Sequence, residues 1–356
     1  MAVEELKYII ALGCLYLNNS RKVQTLIEAA GSAEKAWYQA AGDYKEACLV
    51  HAERELAFIE KHGIKTYYYQ DDNFPHRLQN CPDTPVLLFG KGHLNVNDGK
   101  FISIVGTRSA TERGKELTRR FVLDLAQKVP NITIISGLAY GIDVAAHRAA
   151  LEAGIPTIIV PAHGLDRVYP ATHRQVAIDA LANGGILTEY PSETEPERLN
   201  FVARNRIVAG LADAVVVVES KIKGGALITA GLAVDYNRNL YAFPGRPGDI
   251  STQGCNALIK NQQAMLIESA DDLIYDMQWD MKPSAVQTEM EDLFGNLGEL
   301  ERQLLYLLRN AEDGMHVNEL VATTEQPYNQ VASSLLMLEM ESFVKALPGG
   351  TYICRK

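Results

Sequence analysis

Two arginines flank an asparagine at Arg204, Asn205 and Arg206, inside the stretch FVARNRIVAGLADAVVVVE that runs from Phe201 to Glu219. A guanidinium fork matches the oxygens of a phosphate, so the chemistry these residues suggest is anion binding. On a helix, side chains two apart point about 200° from each other, so the pair does not grip one phosphate together. The expected division is that one arginine meets the anion, together with Arg108, while the other packs against the strand ending at Glu219. Glu219 is then its candidate ion-pair partner. Phe201, three residues before Arg204, offers a face on which a nucleic-acid base can stack. An apolar core position at a helix start explains it equally well.

Other segments offer the same chemistry. The apolar run FISIV leads into Gly106-Thr107-Arg108-Ser109, where glycine permits close approach, threonine supplies a hydroxyl and arginine a charge. Ser109 and Glu112 have capping-box spacing and are expected to open the next helix, adding its free N–H groups and the positive end of its dipole. Gly224 and Gly225, flanked by Lys221 and Lys223, precede the helical pattern ALITAGLAV as a second such terminus. Gly254-Cys255-Asn256 reads as a third, with Lys260 close behind. Spaced anion sites of this kind suit the consecutive phosphates of a polynucleotide better than one small ligand.

Several alternatives lack their signatures. GTRSATERG is not GxGxxG, no acidic residue closes the following strand, and no Walker A lysine motif is present, so neither a dinucleotide fold fingerprint nor an NTPase cradle is found. Ser136, Asp143 and His147 invite a hydrolase reading, but GxSxG is missing. Asp143 and His147, at i and i+4, fit a structural pair on one helix face. His163 and Asp166 have no second histidine at a metal-ligand spacing and read as loop-shaping residues. No cofactor and no metal is expected.

The elements that must position these residues follow a regular beat. FISIVG, ITIISG, TIIVPA, GILTEY, DAVVVVES, LYAFPG and AMLIES are strand candidates, with helical patterns such as ERGKELTRRFVLDLAQK and DVAAHRAALEAG between them. Alternating strands and helices predict a doubly wound parallel α/β sheet. Residues 1–62 read as a helical module, 63–276 as the sheet domain entered through IKTYYYQ and TPVLLFGKG, and 277–297 as a linker. Residues 298–356 have the three helices and hairpin of a winged-helix domain. The chain has 356 residues, a formal charge of -10 and 47% hydrophobic content, ordinary for a globular protein of two or three domains. Charge is uneven: residues 101–270 hold 17 basic and 16 acidic residues, so the acidic excess lies elsewhere. Charge alone neither supports nor excludes nucleic-acid contact, but any such contact is expected to be local to the middle domain. The last domain carries no basic residue in YNQVASSLLMLEMES, which favours a protein contact there. No membrane span or leader pattern is read, and the five scattered cysteines fit reduced thiols in the cytoplasm.

Taken together, VGTR at 105–108, SGLAYGID at 136–143 with His147, AHGLDRVYP at 162–170, FVARNRIVAGLADAVVVVE, GGALITAGLA at 224–233, FPG at 243–245 and GCNALI at 254–259 resemble the bacterial DNA-processing protein A (DprA, or Smf) family over roughly 64–270. The resemblance implies an extended Rossmann-like domain, a SAM-like helical module before it and a winged helix after it. It further implies a homodimer that binds single-stranded DNA without being an enzyme, protects incoming strands in natural transformation and helps load RecA. By position it places DNA contacts on Gly106, Thr107, Arg108, Phe201, Arg204, Asn205 and Arg206, with Gly224 and Gly225 at the second terminus and Lys260 as a basic neighbour. The family often has Ser-Gly-Ser where this chain has Gly224-Gly225-Ala226, so contacts there must use backbone N–H. The enzymatic alternative is a nucleoside-monophosphate phosphoribohydrolase, whose PGGxGTxxE motif this sequence lacks.

Overall fold

The computed structural model describes residues 2–279, 297–311, 314–341, 343–347 and 349–354. The chain divides into two compact units, 1–282 and 283–356. The expected linker lies largely outside the described residues.

The first unit opens with four helices, α1 (Val3–Leu15), α2 (Ser20–Ala30), α3 (Ala33–Gln39) and α4 (Lys45–His62). Asn19 caps α2 by accepting from the Lys22 amide, and left-handed Gly31 and Gly63 end α2 and α4. Their apolar faces, including Leu12, Trp37 and Ala52, share one core with Tyr68 of β1 (Lys65–Tyr68) and Phe89 of β2 (Leu87–Gly92). The helices are thus fastened to the edge of the sheet by a continuous apolar core.

Between β1 and β2 lies the short α5 (His76–Gln79). The alternation beyond them runs β3 (Lys100–Val105), α6 (Glu112–Lys128), β4 (Ile132–Ser136), α7 (Ile142–Glu152), β5 (Thr157–Ile159), α8 (Arg174–Ala182), β6 (Gly184–Thr188), α9 (Arg198–Gly210), β7 (Ala214–Val217), α10 (Ala226–Asp235), β8 (Asn239–Ala242), α11 (Gln253–Lys260), β9 (Met265–Leu266) and α12 (Ala270–Asp276). The nine strands form one sheet in the order β1-β2-β6-β5-β4-β3-β7-β8-β9. Pairing is parallel from β6 to β9, whereas β2 pairs antiparallel with both β1 and β6. Strands β3, β4 and β7 are almost wholly buried because helices cover both faces, which is why they read as unbroken apolar runs. Two cores flank the sheet, one around Phe101, Val215 and Ala230, the other around Ile104, Phe121 and Val216. This is an α/β Rossmann-like fold. Its strand order reverses at β3, whose neighbours β4 and β7 lead in opposite directions, so the carboxyl ends of these three strands splay around a crevice.

The second unit contains α13 (Glu299–Arg309), β10 (Met315–His316), α14 (Val317–Thr324), α15 (Tyr328–Met340), β11 (Val344–Leu347) and β12 (Thr351–Cys354). An antiparallel sheet β10-β12-β11 closes over Leu304, Leu320, Val331 and Leu335, giving the winged helix.

Candidate anion-binding site

The crevice holds a cleft of about 300 Å³. Its walls come from Gly106, Thr107 and Arg108 after β3, Gly137 and Ala139 after β4, α9, Lys221, Lys223, Gly224 and Gly225 ahead of α10, and the first turn of α10. On α9, Phe201, Arg204, Asn205 and Val208 face it together, as spacings of three, four and seven residues require. The Arg108 guanidinium lies over the Phe201 ring at 4.9 Å from its centroid, and that of Arg204 at 6.0 Å. Tyr169 abuts Phe201 from another side, with centroids 5.9 Å apart. A cationic, partly aromatic pocket results, with the first-turn amides of α10 at its rim.

Arg204 is 3% exposed and donates from Nη1 to the carbonyls of Gly137, at 2.9 Å, and Val160. It ties together the ends of β4 and β5 from beneath the cleft. Its Nε is buried with no partner among the described residues. Gly137 is needed here for space: a Cβ would sit 2.5 Å from Arg204 Nη2. Burial lowers the Arg204 pKa from its ordinary value, and Asp143 is the largest opposing influence. Burial pushes the Asp143 carboxyl above its ordinary range, against the pull of Arg204 and of two amides.

Arg206 points elsewhere. It donates to the Asp83 carbonyl and pairs with Glu189, both groups being largely out of solvent. Glu219, the expected partner, is occupied differently: its carboxylate accepts from Thr111 N at 2.9 Å and Thr111 Oγ1 at 2.5 Å. Its carbonyl accepts from Thr107 N at 2.7 Å. Glu219 therefore fastens the end of β7 to the loop that opens α6, and the expectation of a Glu219–arginine pair is corrected.

Three further expectations change. The N-cap of α6 is Thr111, which accepts from Gly114 N, whereas Glu112 pairs with Lys115, so Ser109 and Glu112 form no capping box. Gly254, Cys255 and Asn256 lie within α11: Gly254 N donates to Ser220 O, and the Asn256 side chain bridges both backbone groups of Gly245. They form no exposed terminus, and Lys260, the last residue of α11, does not line the cleft. Asp143 and His147 do not pair. Asp143 accepts from the Gly137 and Ala139 amides, and fully buried His147 bonds Thr157 Oγ1 at 2.7 Å. Both are held by the scaffold and not by each other, and His163 is likewise held, its Nε2 accepting from Tyr169 N.

Of the ten sequence-predicted residues, the cleft gathers Gly106, Thr107, Arg108, Phe201, Arg204, Asn205, Gly224 and Gly225, but not Arg206 or Lys260. Lys221 and Lys223 join them, and Asp143 is the single carboxylate in the lining. The lysines were legible from their place beside the diglycine. Nothing local marked Asp143 as part of the lining.

The fold and cleft define a Rossmann-like protein with a cationic cleft at its switch point, and the second unit of the chain is a winged helix. A family model described as DNA recombination-mediator protein A matches residues 65–278, and one described as DprA winged helix domain matches residues 295–350. The chain belongs to the DNA recombination-mediator protein A (DprA/Smf) family. It is 33% identical over 304 residues to Protein Smf of Escherichia coli, covering 84% of this chain and 79% of that protein. It is 37% identical over 225 residues to the DNA processing protein DprA of Bacillus subtilis, covering 63% and 75% respectively. Among solved structures, DprA of Streptococcus pneumoniae superposes with a TM-score of 0.65 at 30% identity, covering 77% of this chain and 98% of that one. DNA processing protein A of Helicobacter pylori, described for its single-stranded DNA binding mode, gives 0.55 at 30% identity, covering 60% and 95%.

Proposed function

We propose that the cleft binds single-stranded DNA, with phosphates at Arg108, Thr107, the two lysines and the amides opening α10, and a base against Phe201. The observation that carries this reading is Arg108 poised over Phe201 beside buried Arg204, a pairing of cation and aromatic face suited to a flexible strand and not to a stacked duplex. The similarity to the H. pylori protein supports it. In this reading the chain is a non-enzymatic recombination mediator, working as a cytoplasmic homodimer that shields incoming strands during transformation and helps load RecA. Gly106 lets backbone approach the ligand, and Asn205, whose side chain makes no hydrogen bond among the described residues, donates to it. Arg204 shapes the floor and supplies charge. Arg206 holds the scaffold without touching DNA, and Lys260 contributes at most at long range.

An anisotropy titration of single strand against duplex across salt concentrations tests the binding step. Single strand should be preferred, with a log–log salt slope of about 0.7 per phosphate neutralised. Arg108→Ala should weaken binding by about 1–3 kcal/mol. Parent-like binding by that variant would remove the cleft from the mechanism. The mediator step is read separately, by the rate of RecA assembly on a strand already covered by this protein; no acceleration would leave a strand-binding protein alone.

A further inference from the structure

Arg108 lines a second cavity as well as the first. This neighbour, of about 400 Å³, is bounded by Arg108, Ser109, Lys115, Tyr140, Arg148 and His173 together with small residues of α7. Gly141, Val144, Ala145 and Arg148 recur at helical spacing, so one face of α7 forms its wall and presents Arg148 to it. Arg148 is exposed and its guanidinium makes no ion pair or hydrogen bond among the described residues, while Glu152, one turn on, is engaged by Arg119. Lys115 is shared with Glu112 at 2.6 Å. No carboxylate belongs to the cavity lining. Tyr140 is 47% exposed yet its ring is held: it stands edge-on to His173 at 4.9 Å, and its hydroxyl accepts from Thr172. His173 is itself fixed by the Leu138 carbonyl, at 2.9 Å. An exposed but immobilised ring beside an unpaired guanidinium repeats the chemistry of Phe201 and Arg108.

We infer that this cavity is a second nucleotide subsite, in which the strand leaving the first cleft past Arg108 sets its next phosphate on Arg148 and Lys115 and stacks a base on Tyr140. The inference rests on the binding function proposed above. Arg108 sits between the two subsites and sets the spacing of the strand across them. The surface between them is the backbone of the 106–109 and 137–141 loops, joined where Ile142 N donates to Thr107 O. The path is therefore fixed by the same contact that shapes the first cleft.

The test compares oligothymidylates of about three and about fifteen nucleotides, the shorter filling one subsite and the longer spanning both. Arg148→Ala should weaken the longer strand about three- to tenfold, reduce its salt slope by about 0.7, and leave the shorter unchanged. Tyr140→Ala should weaken the longer strand by about five- to tenfold, and Tyr140→Phe should restore it. A tryptophan at this position (Tyr140→Trp) should be quenched by the longer strand alone. If the alanine variants bind both strands like the parent while Arg108→Ala weakens both, the second subsite is refuted and the first stands. Equal loss on both strands would also refute it, making these residues supports of the first cleft. If the parent binds neither strand, the proposed function falls and this inference falls with it.

Discussion

Replacing Arg206 by alanine separates scaffold from ligand contact. The Arg206 side chain is 13% exposed and its partner Glu189 is 5% exposed, so the variant leaves a carboxylate in the interior without its counter-charge. Glu189 Oε1 already lacks any partner among the described residues, so its remaining oxygen depends on Arg206. Removing one member of such a pair costs about 3–5 kcal/mol. That is a large fraction of the 5–15 kcal/mol typical of a domain. Burial already raises the Glu189 pKa, while Arg206 opposes the rise. Without Arg206 the carboxyl rises further and escapes the penalty by taking a proton. The sign follows: an acid whose folded pKa lies above its unfolded value binds more protons when folded, so stability is lost as pH rises through the interval between the two.

Urea unfolding of parent and Arg206→Ala should therefore show a deficit at pH 8 that narrows by pH 5. The double variant Arg206→Met with Glu189→Leu, which removes both charges and keeps the volume, should recover most of it. Single-strand affinity, measured where each protein is fully folded, should stay within about twofold of the parent, because Arg206 faces Asp83 and Glu189 and not the cleft. A folded, fully stable Arg206→Ala that has lost single-strand binding would refute the assignment and return Arg206 to the ligand.

Other perturbations probe the neighbouring parts. Phe201→Ala should weaken single-strand binding by about 1–3 kcal/mol, with Phe201→Tyr close to parent in an anisotropy titration. Gly141, at φ 80°, has no room for a side chain, since a Cβ would fall 2.1 Å from Thr107 O. Gly141→Ala should thus displace the 106–108 loop, lowering both the unfolding midpoint and the affinity. Burial depresses the His147 pKa to about 3. Its folded pKa lies below its unfolded one, so stability should fall by up to about 1.4 kcal/mol per pH unit as pH drops below about 6.5, and urea midpoints of His147→Asn should lack that component.

The parallel sheet was legible because strands buried on both faces must be nearly continuous apolar runs, as β3, β4 and β7 are, and each of the seven runs contains a strand of the sheet. Strand order was not legible, since crossover geometry and not local pattern places β7 beside β3. That adjacency explains the misassigned Glu219. The sequence puts it just beyond the arginine helix, but the sheet puts it beside the unsatisfied N–H groups that open α6, and these claim it. The same ignorance made Ser109 look like the cap, when Thr111 lies where Glu219 can reach it. The 200° argument correctly sent Arg204 and Arg206 to different surfaces. Phe201, Arg204 and Val208 share a helical face that Arg206 does not, a signal in the periodicity that the sequence reading left unused when it kept the choice between the two arginines open. Lys260 lies outside the cleft lining for a simpler reason: Gly254 and Asn256 mimic a loop, yet they belong to α11, with Gly254 N bonded to Ser220 O and the Asn256 side chain to Gly245.

In the proposed reading, the competence of the cleft for an anion turns on Asp143. A carboxylate beside Arg204 and Arg108 would ordinarily close an ion pair and cancel the site. Here its Oδ2 accepts from the Gly137 and Ala139 amides, and no ion pair to either arginine forms among the described residues. The amides hold it because the β4–α7 loop turns sharply, with Leu138 at φ 59° and Gly141 at φ 80°. Leu138 pays in backbone strain for a conformation that glycine adopts freely. Asp143 thus sustains the buried Arg204 charge at a distance, without competing for the donors a phosphate would use. Asp143→Asn separates the two roles: it keeps an oxygen for the amides and removes the charge. Its effect should appear as altered salt dependence of strand binding, with the unfolding midpoint changed by less than in Asp143→Ala. If Asp143→Asn and Asp143→Ala instead lose stability equally and bind with the parent's salt slope, the carboxylate does no more than shape its own loop.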